Sequence, residues 1–302
     1  MNTIAQPTIS IALCTYNGSQ YLREQLNSII EQTYNPVELI CVDDCSGDST
    51  KEILESYSNQ YPWIKIFYNT QNLGYTKNFE KAISLCQGDL IALCDQDDVW
   101  DKNKLHQMVQ FIGDHLLIYH DSELIDEAGI SIGKSVSDIK NFYRGADIRP
   151  FLLENCVSGH TILMKKQLAK MAMPFPEVIA HDWWLAFQAC NNGTIDFLTN
   201  KLVKYRQHAQ TSTNILNTRK TNIEQDKLVL QVQQVQQFAS AAIGRHQVFV
   251  RKLAALLQNR LTAGASFSLG MFVLIHMNVL FYFKKKSWIS KLNHARKYFI
   301  NP

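Results

Sequence analysis

The sequence predicts an α/β protein, with a mainly parallel central sheet flanked by helices and a helical C-terminal extension. Three observations carry this. Four strand-like runs are separated by three segments of helical periodicity before residue 95. Several of those runs end in acidic or polar residues, where ligands of parallel α/β sheets bind. Beyond Thr218 the composition turns Gln-rich and helical. At 302 residues, 46% apolar and 19% charged, the chain can bury a substantial core, which excludes a disordered chain and a small disulfide scaffold.

Residues 8–14, TISIALC, read as a strand that stops at Thr15-Tyr16-Asn17-Gly18, since Asn-Gly signals a turn. Ser19 is placed to cap a helix in which Leu22, Leu26, Ile29 and Ile30 recur at helical spacing. A second run, 37–42, ends in Asp43-Asp44-Cys45-Ser46 and precedes a helix over 49–58. A third, 64–68, precedes a helix over 77–86, and a fourth, 90–94, ends in Asp95-Gln96-Asp97-Asp98. Such alternation implies right-handed crossovers. After 116–120 the pattern loosens: 134–150 reads as loops or short strands, 182–190 as a helix and 201–205 as a strand. The division falls between a domain of residues 1–217 and a helical region of residues 218–302.

The net charge of +3 conceals an asymmetry. Residues 1–220 hold 19 Lys/Arg against 25 Asp/Glu, whereas 221–302 hold 11 against 2. An acidic body with a basic tail points to an anionic partner for the tail, a lipid surface or a nucleic acid. No nucleic-acid-binding motif is recognisable, so lipid ranks first. Seven cysteines, an odd number without a C-x-x-C pair, read as reduced thiols. The first residues have no basic n-region or apolar h-region, so the chain is expected to stay in the cytoplasm.

Asp95-Gln96-Asp97-Asp98 places three carboxylates within four residues after an apolar strand, and their repulsion calls for a cation or a polar ligand. Hard oxygen donors on a loop suit Mg²⁺ or Mn²⁺, which keep positions for phosphate oxygens and water. An acidic turn capping a helix near Asp101 is the plain alternative. Asp43 and Asp44 repeat the arrangement: one carboxylate is suited to nucleobase N–H groups, and helix capping is the alternative. Tyr16 offers an aromatic face for a base or for the sheet edge. Asp182, before Trp183 and Trp184, reads as a helix cap.

Together TISIALCTYNG, ELICVDDCSGDST, NTQNLGYTKNFEKAI, GDLIALCDQDDVW and HDWW resemble, in order, a family 2 glycosyltransferase of the GT-A fold. The likeness covers about residues 7–210. With CVSGH and YRQH it is nearest to bacterial rhamnosyltransferase-like members. It implies a Rossmann-like fold, a nucleoside-diphosphate sugar donor and a divalent cation, Mn²⁺ or Mg²⁺. It also implies single displacement with inversion. Thr15, Tyr16, Asn17, Asp43, Asp44, Asn72, Gly74, Lys77, Asp95 and Gln96 then fall on the nucleotide-sugar side. Asp97 and His208 become metal ligands, with Asp98 a further candidate and Arg206 placed to meet a phosphate. Asp182 is the implied general base, and Gly159, His160, His181 and Trp183 lie on the acceptor side. His181 departs from the Glu commoner before this Asp. Cys156 is no nucleophile candidate, since inversion needs no covalent intermediate.

The implied reaction moves a sugar, rhamnose from dTDP-rhamnose as first choice, to a hydroxyl of a bacterial surface polysaccharide or lipid-linked oligosaccharide. A non-catalytic sugar-nucleotide or glycan-binding module would lose Asp97 or Asp182, and both are present. A nucleotidyltransferase would carry a basic Gly-rich loop after its first strand, and CTYNGSQ has no Lys or Arg. Residues 264–283 are apolar but contain Gly264, Gly270, His276 and Asn278, and six Lys/Arg follow them. Crossing the membrane would put those cations outside. An interfacial helix with Trp288 at the lipid boundary of the inner membrane face is expected, the alternative being a core-packed hairpin or an oligomer interface.

Overall fold

A computed structural model of the protein describes residues 6–208 and 224–299. The proposed boundary at 217/218 lies outside the described residues. The sheet has nine strands, β1 (Ile9–Thr15), β2 (Glu38–Asp43), β3 (Ile64–Tyr68), β4 (Leu90–Cys94), β5 (Val99–Trp100), β6 (Leu117–Ile125), β7 (Ser131–Ser135), β8 (Leu163–Lys165) and β9 (Ile195–Arg206), in the order β3-β2-β1-β4-β8-β6-β9-β5 with β7 beside β6. The half from β3 to β4 is parallel. Beyond it β8 is antiparallel to both β4 and β6, β6 and β9 are parallel, and β5 is antiparallel to β9.

Seven helices accompany these strands: α1 (Leu22–Ile30), α2 (Thr50–Gln60), α3 (Gly74–Leu85), α4 (Lys104–Ile112), α5 (Val136–Ile139), α6 (Lys166–Ala172) and α7 (His181–Asn192). Two starts differ from expectation for stated reasons. Helix α1 begins at Leu22 with Tyr21 at its cap, because Gly18 O already accepts the Tyr21 and Leu22 N–H groups, while Ser19 N–H turns to Asp48. Helix α3 begins at Gly74, three residues early. Asp44, thirty residues away, supplies its cap by accepting the Leu73 and Gly74 N–H groups at 2.8 and 2.9 Å.

Helices α8 (Glu224–Ala241), α9 (Gln247–Ala263), α10 (Phe267–Ile275), α11 (Met277–Leu280) and α12 (Trp288–Arg296) form the C-terminal part. They share one apolar core with the sheet: Phe238, Leu253, Phe272 and Phe281 join Phe151, Trp184 and Phe187. The 264–283 run therefore divides by face. Leu269, Val273, Leu280 and Phe281 are fully buried, whereas Phe267 and Ile275 are 73% and 68% exposed. No helix among the described residues is long and apolar enough to cross a membrane.

Candidate active site

Strands β2, β1 and β4 are neighbours, so the loops after them lie side by side. Asp43, the last residue of β2, accepts the Thr15 hydroxyl at 2.9 Å and the Ser46 N–H at 3.0 Å. Asn17 adopts φ 48° and knits the loops, its N–H on Ser46 Oγ and its Oδ1 taking Gly47 N–H at 2.8 Å. Gln96 grips Tyr16 from β4: its Oε1 accepts the Tyr16 N–H at 2.8 Å and its Nε2 donates to Tyr16 O at 3.0 Å. Gly18 is required by this contact, since a Cβ there would sit 2.2 Å from Gln96 Oε1. The Tyr16 ring remains 51% exposed above the network.

Carboxylates at the end of β2 thus serve donors of the protein itself, both backbone and side chain. Asp43 has no exposed surface, and Asp44 is spent on α3 and on Asn69 Nδ2. A base contact at Asp43 would require this network to open, whereas Tyr16 is already accessible. Asn72 ties the same corner, donating to Asp44 O at 3.1 Å and accepting Gly74 N–H at 3.0 Å, where Gly74 has φ 76°. Lys77 pairs with Glu80 and donates to Phe175 O, both at 2.7 Å, joining α3 to the chain that leads into α7.

Two acid and histidine groupings follow β4. Asp97 Oδ2 lies 2.8 Å from His208 Nε2, so residues 111 positions apart meet. Beside them His160 Nδ1 lies 3.6 Å from Asp95 Oδ2 and 3.5 Å from Asp98 Oδ2. The ligand atoms of Asp95, Asp98 and His160 all fall within 4.8 Å of one another. Asp98 Oδ2 is buried without a hydrogen-bond partner, an orphan that a cation would satisfy. His160, expected on the acceptor side, belongs to this cluster, and its Nε2 meets Ser122 Oγ at 2.9 Å. Both sets combine carboxylate oxygens with one imidazole nitrogen, a donor mix that fits a divalent cation and Mn²⁺ better than Mg²⁺.

Beneath lies a buried amine that the sequence reading missed. Lys104 Nζ donates to His160 O at 2.6 Å and stands 3.3 Å over the Trp100 ring. Burial pushes its pKa down to about 7 against the pull of Cys94, Asp98 and Asp95. Arg206 corrects an expectation. It is buried, its Nε on Asp97 O at 2.8 Å, Nη1 on Glu127 O at 3.1 Å and Nη2 on Glu24 at 2.6 Å, with Tyr21 under the guanidinium. It clamps the acidic loop rather than waiting for a phosphate.

Asp182 stands in the first turn of α7, where the N-terminal dipole favours a carboxylate. Its Oδ1 accepts the Trp183 N–H and, at 3.2 Å, Asn155 Nδ2. Burial lifts its carboxyl above the ordinary value; His181 and Lys140 oppose the rise and Asp95 adds to it. Asp182 and the acidic cluster therefore feel one another. His181 is wedged between Phe79, stacked at 4.0 Å, and Gly159, where a Cβ would come 2.7 Å from its Nε2. Neither ring nitrogen has a hydrogen-bond partner, and burial lowers its pKa. Trp183 is structural: its indole N–H donates to Phe151 O at 2.6 Å and its ring meets Phe238 of α8. Tyr75, 55% exposed and 6.1 Å from the His181 ring, stands over this corner; only its place after a glycine turn hinted at that. All seven cysteines are free, and burial pushes the Cys156 thiol up to about 12, which leaves it inert at neutral pH.

This sheet, with its acidic loop after β4 and its carboxylate at the start of α7, defines a GT-A fold. The chain belongs to glycosyl transferase family 2, whose model matches residues 10–170. An uncharacterized protein of Mycobacterium tuberculosis is 30% identical over 207 residues, 67% of this chain and 59% of its own length. The chain thus spans less than two thirds of the mycobacterial relatives it matches. A putative teichuronic acid biosynthesis glycosyltransferase of Bacillus subtilis, TuaG, is 34% identical over 107 residues, 35% of this chain and 42% of that one. Among solved structures, TarS 1-349 of S. aureus in complex with UDP-GlcNAc matches 97% of this chain and 81% of its own at a TM-score of 0.59. At 19% identity it shares the fold.

Proposed function

We propose that this chain transfers a sugar, with inversion, from a nucleoside-diphosphate donor to a hydroxyl of a bacterial surface polysaccharide or lipid-linked glycan. The observation that carries the reading is that the Gly159-His160 turn joins the two halves of the site: His160 Nδ1 lies 3.6 Å from Asp95 Oδ2, and Gly159 packs against His181, the neighbour of Asp182. Asp182 takes the proton of the attacking hydroxyl, and its raised proton affinity suits that task. The Tyr16 ring receives the base over a loop pinned by Gln96, Asn17 and Asp43. Asp97 and His208, which meet at 2.8 Å, would hold the divalent cation on the side open to the diphosphate, with the buried Asp98 behind them. Bound there, the cation offsets charge developing on the leaving diphosphate. His181 and Gly159 shape the floor on the acceptor side.

Residues 1–217 form the catalytic domain in this reading. Residues 218–302 hold it on the inner face of the cytoplasmic membrane, with exposed Trp288 and Ile289 beside Lys285 and Lys286. For the sugar, the CDQDD, CVSGH, HDWW and YRQH segments support rhamnose from dTDP-rhamnose, and the UDP-GlcNAc bound by TarS makes UDP-sugars the second arm of the test. Nucleotide sugars are supplied one at a time with Mn²⁺, and donor breakdown and product are followed by mass spectrometry. One donor should turn over, and Asp97→Ala should remove the Mn²⁺ dependence of its binding. No turnover with any donor, or Mn²⁺ dependence unchanged in that variant, overturns the respective assignment.

A further inference from the structure

A cleft of about 360 Å³ opens between the end of α5, the Glu154-Asn155 loop and the segment that follows Phe283. It is built rather than incidental. Lys140 and Lys284 face each other across an antiparallel bridge, and Asn141 fastens the two segments, its N–H on Phe283 O and its Nδ2 on Tyr282 O, both at 2.9 Å. Lys140, Lys284, Lys285 and Lys286 line it, with Glu154 the one acidic residue on its wall. Two of the ammonium groups are spent on the wall itself. Lys284 Nζ pairs with Glu154 at 2.8 Å and reaches His294 at 3.1 Å, and Lys140 Nζ donates to Asn155 O at 2.8 Å. Lys285 and Lys286 are exposed and are given no ion pair or hydrogen bond by the described residues.

The cleft adjoins the base. Asn155, whose carbonyl holds Lys140, donates through Nδ2 to Asp182 Oδ1. A second cavity of about 240 Å³ shares Lys140 and Lys285 and extends the cleft along Asn141 and Phe197. Asp121, on that wall, accepts the Ser122 and Ser137 N–H groups and the Ser137 hydroxyl and keeps its negative charge, and Asp138 lies within electrostatic reach of Lys285. Across the two cavities four lysines outnumber the carboxylates of Glu154 and Asp121, and the two outward ammonium groups of Lys285 and Lys286 match a phosphate or diphosphate, to which lysine contributes a compact charge with several donors.

We propose that this cleft is an anion subsite that takes a phosphate or diphosphate group, the charged portion of the acceptor whose hydroxyl lies at Asp182. The acceptor assignment rests on Asp182 being the base; the affinity for phosphoryl oxygens does not. It gives the basic C-terminal region a defined ligand chemistry, carried to the base by Lys140 and Asn155.

Inorganic pyrophosphate is titrated calorimetrically into the full chain with EDTA present, which keeps cations from recruiting it to the acidic loop. Lys285→Gln/Lys286→Gln, both at exposed positions, should weaken binding at least about tenfold with the thermal midpoint unchanged. Unchanged pyrophosphate binding overturns the proposal. A parallel arm measures sedimentation with phosphatidylglycerol vesicles against phosphatidylcholine vesicles. Loss of pyrophosphate and vesicle binding together supports a phosphate presented from the lipid headgroup layer. Loss of pyrophosphate binding alone supports a phosphate on a water-exposed acceptor. Loss of vesicle binding alone overturns the subsite, since it marks diffuse surface charge. Failure of every nucleotide sugar to turn over would sink the transferase reading and leave this titration interpretable.

Discussion

The strand-end loops and the C-terminal helices use charge in opposite ways. At the ends of β1, β2 and β4 the carboxylates are drawn inward: Asp43 on Thr15 and Ser46, Asp44 on the first turn of α3, Asp97 on His208, Asp98 on the Arg206 N–H. In the C-terminal region the apolar faces turn inward, with Phe238, Leu253, Phe272 and Phe281 in the sheet's own core, and Lys285 and Lys286 stand outward. Negative charge placed at chain ends of strands organises a site, because backbone N–H groups there are unpaired and compensate it. Positive charge on a packed helical layer organises a surface. The acidic and basic excesses are not two independent modules, since one apolar core runs beneath both.

The sharpest way to break this picture is at Asp182. Asp182→Asn should lower transfer by roughly 10²- to 10⁴-fold while the thermal midpoint stays near that of the parent. As the proposed base, the same residue should set the acidic limb of the pH profile. Burial raises its carboxyl, so the active, deprotonated form grows with pH through a midpoint above the ordinary value of about 3.9. Measured kcat/KM against pH checks the sign, and a limb at or below that value counts against the assignment.

Next in size is the joint between the two regions. Phe281→Ala removes a fully buried ring from the shared core and should cost about 3–5 kcal/mol. Urea unfolding followed by fluorescence and by circular dichroism should show one common transition displaced to lower urea. Two separate transitions, only one of them displaced, would show the C-terminal helices folding apart from the sheet. The smallest effect is expected in the loops. Gly18→Ala pushes Gln96 off Tyr16 and forfeits two hydrogen bonds, about 1 kcal/mol each. Gln96→Ala combined with it should cost little more than either change alone, which a double-mutant cycle measures.

Much of the parallel half was legible because its information is local. Residues 8–14, 37–42, 64–68 and 90–94 all appear as strands within a residue or so, each being an apolar run bounded by turn residues. The start of α3 was not legible, since its cap comes from Asp44 in another loop. Strand β5, two residues long, exists only through its pairing with β9. The meeting of Asp97 with His208 came from resemblance to a family pattern, while Lys104, Asn155 and Tyr75 carried no motif that would single them out.

By itself the sequence determined the element order, the placing of carboxylates at strand ends and the family likeness, because periodicity, turn chemistry and motif spacing are properties of neighbouring residues. Tertiary structure alone decided which of those carboxylates stays open. It also brought His160 to Asp95 and Asp98, buried Lys104 under them, turned Arg206 into a clamp and set a lysine cleft against Asp182. Those outcomes depend on desolvation and on contacts between residues tens of positions apart, which no local pattern records.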